Sequence, residues 1–212
     1  MSDYQTELSQ QISQMGLAIT ASQQLQLIKY LELLVKWNKA YNLTSVRDPL
    51  TMISRHLADS LSVLPYIQSA NLEQQRLIDV GSGPGLPGIP LAICLPEFQV
   101  TTIDSNGKKT RFQQQVKMEL NLENLTVVNS RVENYQPEPF DIVISRAFAS
   151  IEDMLEWTNH LCKNQGIFLA MKGLYPEQEI QTLNDGFRLL QTHRLSVPKC
   201  DAERHLLILG RA

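Results

Sequence analysis

The residues best suited to chemistry fall in one stretch, Asp79-Val-Gly81-Ser-Gly83-Pro-Gly85-Leu-Pro-Gly88-Ile-Pro90. Gly83-x-Gly85-x-x-Gly88 has the spacing with which a strand-to-helix turn brings its backbone against a nucleotide. Asp104 follows about twenty residues on, where an acid can accept from ribose hydroxyls. A bare match of this kind also describes a tight connection with no ligand, or a helix-capping acid at Asp104, so two further details matter. Asp79 places a negative charge just before the turn, which repels a pyrophosphate and favours a cationic ligand. Pro84, Pro87 and Pro90 remove backbone N–H groups that a phosphate would use at a helix start. A nucleoside with no phosphate and a positive centre satisfies both conditions, and S-adenosylmethionine is such a molecule. No Gly-Lys-Ser/Thr follows the glycines, which excludes a Walker-type phosphate loop.

The remaining candidates stand at the ends of other predicted strands. Arg131-Val132-Glu133 follows the third strand, where Val132 and Glu133 could flank an adenine ring. Ser145-Arg146 follows the fourth, where a substrate must sit. An arginine there can pair bidentately with phosphate or a guanine edge, or structurally with Asp141 or Glu133. Lys172 follows the fifth strand. Lys108, Lys109 and Arg111 open the helix after Asp104, against the macrodipole; they read as a solvated face or as contacts for an anionic partner such as RNA. His56 lies on an apolar helix face and reads as a core histidine before a catalytic base. Two absences also inform. Ser145-Arg-Ala-Phe-Ala-Ser150 stands where an Asn/Asp-Pro-Pro-aromatic sequence would serve methylation of an exocyclic base amine. No Pro-Cys pair offers a nucleophile for attack on a pyrimidine. A ring nitrogen with its own lone pair needs neither device.

These residues must be positioned by a scaffold, and the chain predicts one. Its 212 residues, 43% hydrophobic and 19% charged, suit an α/β domain with an N-terminal extension. Helices are expected over 4–15, 22–40 (capped by Ser22) and 50–64, then a polar linker over 68–76. Strands at 77–80, 100–104, 125–128, 140–144 and 166–171 alternate with helices at 106–120, 151–161 and 176–183. Two last strands, near 187–196 and 206–210, should pair antiparallel because the loop between them is too short for a crossover. The expectation is a doubly wound, mainly parallel seven-stranded sheet, with ligands beyond the carboxyl ends of its strands. Residues 1–67 would be a helical extension and 68–212 the ligand-binding domain. No apolar run is long enough to span a bilayer and the N-terminus shows no signal-peptide pattern, so a cytoplasmic protein is expected. Cys94, Cys162 and Cys200 are too far apart for a CxxC pair and read as free thiols, with no metal site. Net charge is −3, so any RNA binding must use a local patch.

The chain resembles the bacterial RsmG family, also called glucose-inhibited division protein B. The resemblance is carried by Trp37-Asn-Lys-Ala-Tyr-Asn-Leu-Thr44, Arg55-His56, Asp59-Ser60, the stretch from Asp79 to Pro90, Asp104-Ser-Asn-Gly-Lys108, Ser130-Arg-Val-Glu133, Ser145-Arg-Ala-Phe-Ala-Ser150, Met171-Lys-Gly173 and Glu203-Arg-His-Leu206. It implies a Rossmann-like class I methyltransferase that places the methyl of S-adenosylmethionine on N-7 of a guanine in the decoding-region loop of 16S ribosomal RNA. By motif position, Gly81 and Leu86 would touch the cofactor, Val132 and Glu133 its adenosine, and Arg146 both cofactor and target. Asp79, Gly83 and Asp104 complete the expected cofactor set. Asn42, Arg47, His56 and Lys172 are the expected RNA-facing residues. The expected partner is 16S ribosomal RNA within a ribonucleoprotein particle, met by a monomer. Three readings compete: a small-molecule methyltransferase, a nicotinamide oxidoreductase and a nucleoside-binding module without turnover.

Overall fold

The computed structural model describes residues 3–70, 72 and 74–212. Met1 and Ser2 of the polar N-terminus, and Asn71 and Glu73 of the expected linker, lie outside the described residues.

The N-terminal third is helical. Helix α1 spans Asp3–Gln14 and α2 spans Ala21–Tyr41. The cap of α2 is Thr20 rather than Ser22: its hydroxyl accepts from the Gln23 N–H while the Gln23 side chain accepts from the Thr20 N–H. The pair satisfies two donors that Ser22, one turn inside, cannot reach. Leu27, Leu31 and Leu34 recur on one face of α2 and are fully buried, each contributing about 2 kcal/mol. The single helix expected over 50–64 is instead segmented. Helix α3 (Pro49–Met52) passes through a π-helical stretch, Ile53–Ala58, into α4 (Asp59–Leu61), and α5 follows at Leu64–Gln68. The break before α5 precedes Pro65, which lacks the N–H a continuous helix would need.

Seven strands form one sheet in the order β3-β2-β1-β4-β5-β7-β6. They are β1 (Arg76–Val80), β2 (Gln99–Asp104), β3 (Leu125–Asn129), β4 (Phe140–Ser145), β5 (Cys162–Lys172), β6 (Phe187–Arg194) and β7 (His205–Arg211). The first five pair in parallel, while β7 pairs antiparallel with β5 on one side and β6 on the other. The sheet is therefore mixed, with its antiparallel edge formed by the two strands predicted to pair that way. Helices α6 (Gly88–Cys94), α7 (Gly107–Leu120), α8 (Ile151–Thr158) and α9 (Glu177–Gln181) make the crossovers. Helix α8 stops earlier than expected, with a 3₁₀ turn at Asn159–Leu161, and β5 starts four residues early at Cys162.

Leu77, Ile78 and Val80 of β1 are all buried, because helices cover both faces of the sheet. One core joins α1–α5, α6 and α7 to one face of the sheet; the other lies under α8 and α9. The strand order reverses between β1 and β4, and a crevice opens there at the carboxyl ends.

Candidate active site

Two cavities lie along that carboxyl edge. Both touch the segment after β4, where Ala147 faces one and Arg146 the other.

The first cavity, of about 420 Å³, is bounded by the ends of β1, β2 and β4, the turn after β3 and the start of α8. The glycine-rich loop enters it at Gly81, and that loop has no spare backbone N–H. Gly81 and Ser82 donate to the Ile103 carbonyl, Gly85 and Leu86 to Ser82, and Ile89 to Gly85. The Gly83 N–H donates to Asp104 Oδ2 at 2.8 Å, and Gly88 to Asp79 Oδ2 at 2.7 Å. Pro84 and Pro87 have no N–H to give. A pyrophosphate therefore finds no backbone nest, as the prolines predicted but by a fuller route. Three carboxylates, Asp104, Glu133 and Asp153, line the space against one arginine, Arg131. Val132, Phe148 and Trp157 supply apolar walls, the last two rings meeting edge to face at 5.8 Å. Acceptors, apolar walls, a volume typical of small-ligand sites and no phosphate nest fit an adenosyl ligand with a cationic centre.

The expected cofactor residues divide within this geometry. Gly81, Asp104, Val132 and Glu133 line the first cavity; Asp79, Gly83, Leu86 and Arg146 do not. Asp79 lies fully buried beneath the loop, holding the Gly88 N–H, so its charge does not face the ligand space as expected. Burial pushes its carboxyl up to about 7, against the opposing pull of the Gly88 hydrogen bond and Arg146. Leu86 packs into the core under the helical layer. Gly83 has φ +59° and a Cβ there would meet only Lys109 Nζ, at 4.0 Å. Its left-handed backbone favours glycine, and the space beside it is open apart from that ammonium. Gly81 is required by conformation and by packing: φ is +70° and a Cβ would lie 2.6 Å from the Ala147 Cβ.

The second cavity, of about 300 Å³, is cationic and is assembled from distant parts of the chain. Arg55, His56 and Asp59 come from the helical layer, Arg146 from the end of β4, Lys172 from the end of β5, and Arg204 and His205 from the start of β7. Asp59, buried, organises them. Its Oδ2 accepts from Arg146 Nη1 at 2.6 Å and its Oδ1 from Arg204 Nε at 2.9 Å. Arg146 thus has a carboxylate partner, though neither Asp141, which pairs with Lys163, nor Glu133. Lys172 is tied back, donating to the Ala149 carbonyl at 2.8 Å and pairing with Glu179. His56 Nε2 meets the Thr44 hydroxyl at 2.9 Å while its Nδ1 is buried without a partner. Burial, reinforced by Arg146, lowers the imidazole to about 4, so it is neutral near pH 7. Asn42 and Arg47 are hydrogen-bonded to each other at 2.9 Å and exposed, and neither lines this cavity.

The residues assigned no role from sequence are Asp59, Arg55, Arg204, His205, Phe148 and Trp157. All but Trp157 stood inside the motifs quoted above, which was their only signal. Buried thiols complete the picture: burial pushes Cys94 and Cys162 up to about 12. Among the described residues there is no cluster of potential metal ligands and no helix long and apolar enough to cross a membrane.

Sheet order and crevice define a Rossmann-like methyltransferase fold. Similar solved structures include the ribosomal protein L11 methylase of Lactobacillus delbrueckii subsp. bulgaricus (TM-score 0.56, 14% identity, 72% of this chain and 78% of that one). Another is M. jannaschii TYW2 in complex with AdoMet (TM-score 0.54, 14% identity, 73% and 77%). At such identities the likeness speaks for the fold alone. Sequence carries further: residues 23–207 match the family described as rRNA small subunit methyltransferase G (GidB). The proteins of that name from Pseudomonas aeruginosa strain LESB58 and Pseudomonas entomophila strain L48 are 54% and 57% identical to this chain. Each alignment runs over 206 residues, covering 97% of this chain and 94% of the relative. The chain belongs to the rRNA small subunit methyltransferase G family, and is a methyltransferase.

Proposed function

We propose that this chain, acting as a cytoplasmic monomer, transfers the methyl group of S-adenosylmethionine to N-7 of a guanine in the decoding-region loop of bacterial 16S ribosomal RNA, presented within a ribonucleoprotein particle. The observation that carries the reading is the pair of adjoining cavities, one acid-rimmed and without a backbone nest for phosphate in the glycine loop, the other cationic, meeting at Arg146 and Ala147.

When bound, S-adenosylmethionine supplies a methyl carbon on a cationic sulfonium, open to in-line displacement by an unprotonated ring nitrogen. The chain's own residues bind and align. Asp104 is fixed by the Gly83 and Asn106 N–H groups, which leaves lone pairs for ribose hydroxyls. Val132 and Glu133 flank the adenine, and Gly81 lets the backbone pass close beneath the ligand. Asp79 and Leu86 act from below, fixing the loop through Gly88 and the core. Arg146, with one nitrogen on Asp59, keeps further donors for a guanine edge or a flanking phosphate. Arg47, Asn42, His56 and Lys172 belong to the RNA-facing side, with His56 and Lys172 acting through their neighbours.

Guanine N-7 carries no proton, so the reaction requires no base, and His56 is not free to serve as one. His56 has one nitrogen on Thr44 and the other sealed. With Cys94 and Cys162 held as neutral thiols, covalent attack on a pyrimidine has no nucleophile in the core.

Labelled-methyl transfer to small-subunit particles, with mass mapping of the product, tests the reading. The expected product is 7-methylguanine. Label on an exocyclic amine, or on no RNA at all, would overturn it. Arg146→Lys keeps charge but loses the planar fork. It should lower the transfer rate at least tenfold, about 1.4 kcal/mol, while cofactor affinity changes much less.

A further inference from the structure

We propose that the seam between α2 and α7 is a second RNA contact outside both cavities. There Tyr41 stacks an unpaired base, and Lys36, Lys108 and Arg111 hold the neighbouring phosphates. The inference rests on the reading that the substrate is RNA.

Three rings step from the core to the surface along this seam. Phe112 is fully buried, Trp37 is half-buried and Tyr41 is 48% exposed, with centroids 5.6 and 5.2 Å apart in turn. Tyr41 is therefore a large exposed ring held in place from behind. Beside it runs a cleft of about 420 Å³, bounded on α2 by Leu33, Lys36, Trp37 and Ala40 and on α7 by Gln115 and Glu119. Arg111 and Lys108 lie one and two turns before Gln115 on the same face of α7, and both are exposed. None of Lys36, Lys108 and Arg111 has an ion-pair partner among the described residues. The one carboxylate of the cleft, Glu119, is at its far end and accepts from Gln115 at 2.9 Å.

Lys36 shares the cleft with the propped ring, and Arg111 and Lys108 continue along the same face of α7, three cations without an ion pair on a chain of net charge −3. That combination holds single-stranded RNA with little sequence preference, the ring by stacking and the cations by phosphate contact. The seam also opens toward the active site. Helix α7 starts directly after the carboxyl end of β2, and the Lys109 ammonium sits 4.0 Å from where a Gly83 Cβ would be. A strand leaving the cavities over the glycine loop reaches α7 next.

The test compares the full-length wild type with Tyr41→Ala, Tyr41→Trp and the double variant Lys108→Gln/Arg111→Gln. A labelled oligouridylate reports binding, and methyl transfer to small-subunit particles and to protein-free 16S RNA reports KM and kcat. Tyr41→Ala should weaken oligouridylate binding and raise KM for both substrates about tenfold, with kcat and cofactor affinity unchanged; Tyr41→Trp should restore both. The double variant should lower the salt slope of binding by about 0.7 per cation removed. Wild-type binding and KM in these variants would overturn the proposal. So would a KM raised on particles alone, which would mark a protein contact. If the wild type methylates no RNA yet the variants still lose oligouridylate affinity, the substrate reading fails and the seam stands.

Discussion

The two cavities meet at one peptide, yet their buried carboxylates are held in opposite ways. Asp59, in the cationic cavity, is bound on both oxygens by guanidiniums, from the end of β4 and the start of β7. Asp79, under the first cavity, has one backbone N–H for a partner and one oxygen with none. A buried charge without a countercharge shifts toward its neutral form, and Asp79 is pushed up to about 7. The first cavity is thus built from backbone conformation and from hydrogen bonds of backbone N–H groups to carboxylates and carbonyls of neighbouring strand–helix units. The second is built from charge, and it exists only where four separate parts of the chain converge. Damage to the first should remove the cofactor, and damage to the second should remove the substrate.

The largest separation is expected from Gly81→Val. A β-branched residue at φ +70°, with its Cβ driven into Ala147, deforms the first cavity. Calorimetry should show S-adenosylmethionine affinity reduced at least a hundredfold, about 2.7 kcal/mol, with RNA binding retained. Full cofactor affinity would mean the first cavity is not the cofactor's. Asp59→Asn is the mirror experiment. It keeps the volume but leaves two guanidiniums uncompensated, at a cost to folding stability of up to about 3 kcal/mol. Transfer to RNA should fall more than tenfold while cofactor affinity stays near wild type. A parallel loss of both would show that the two cavities are not separable.

The same contrast explains what the chain shows before it folds. Alternating apolar strands and amphipathic helices gave the sheet, its antiparallel edge and the crevice, because each of those signals is local. The donor-poor loop was legible from three prolines, and the structure adds that the remaining N–H groups are used internally. The direction of the Asp79 side chain was not legible, since a strand residue next to a turn can point into the ligand space or beneath it. Nor was the Asp59 bridge: its partners are 87 and 145 residues away, and no local pattern pairs them. Motif resemblance pointed at Asp59 and Arg204 without giving them a role.

A smaller effect isolates the uncompensated member of the pair. The folded Asp79 carboxyl, near 7, lies above its ordinary value of 3.8. The group's contribution to stability is therefore fully present below about pH 4 and is lost as pH rises toward 7. Asp79→Asn keeps an acceptor for Gly88 and cannot ionise. Its melting temperature relative to wild type should rise between pH 5 and pH 8. A difference that is flat with pH would place the ionisation elsewhere.

The smallest effect belongs to His56, in the cationic cavity. Its folded value, about 4, lies below the ordinary 6.5, chiefly through burial and secondarily through Arg146. Its stability contribution is therefore complete above pH 6.5 and is lost as pH falls through 4. Across the range where the enzyme would work the ring stays neutral and bonded to Thr44. A general base contributes about a hundredfold or more, so His56→Gln keeping the single-turnover rate within about threefold would exclude that role. The rate should show no limb near pH 6.5 in either protein. The acid-side loss of stability between pH 6.5 and 4 should shrink in the variant, since glutamine takes up no proton there. A rate limb near neutrality that disappears with His56 would give the cationic cavity a proton-accepting step, and would rule out a nucleophile that arrives with its lone pair free.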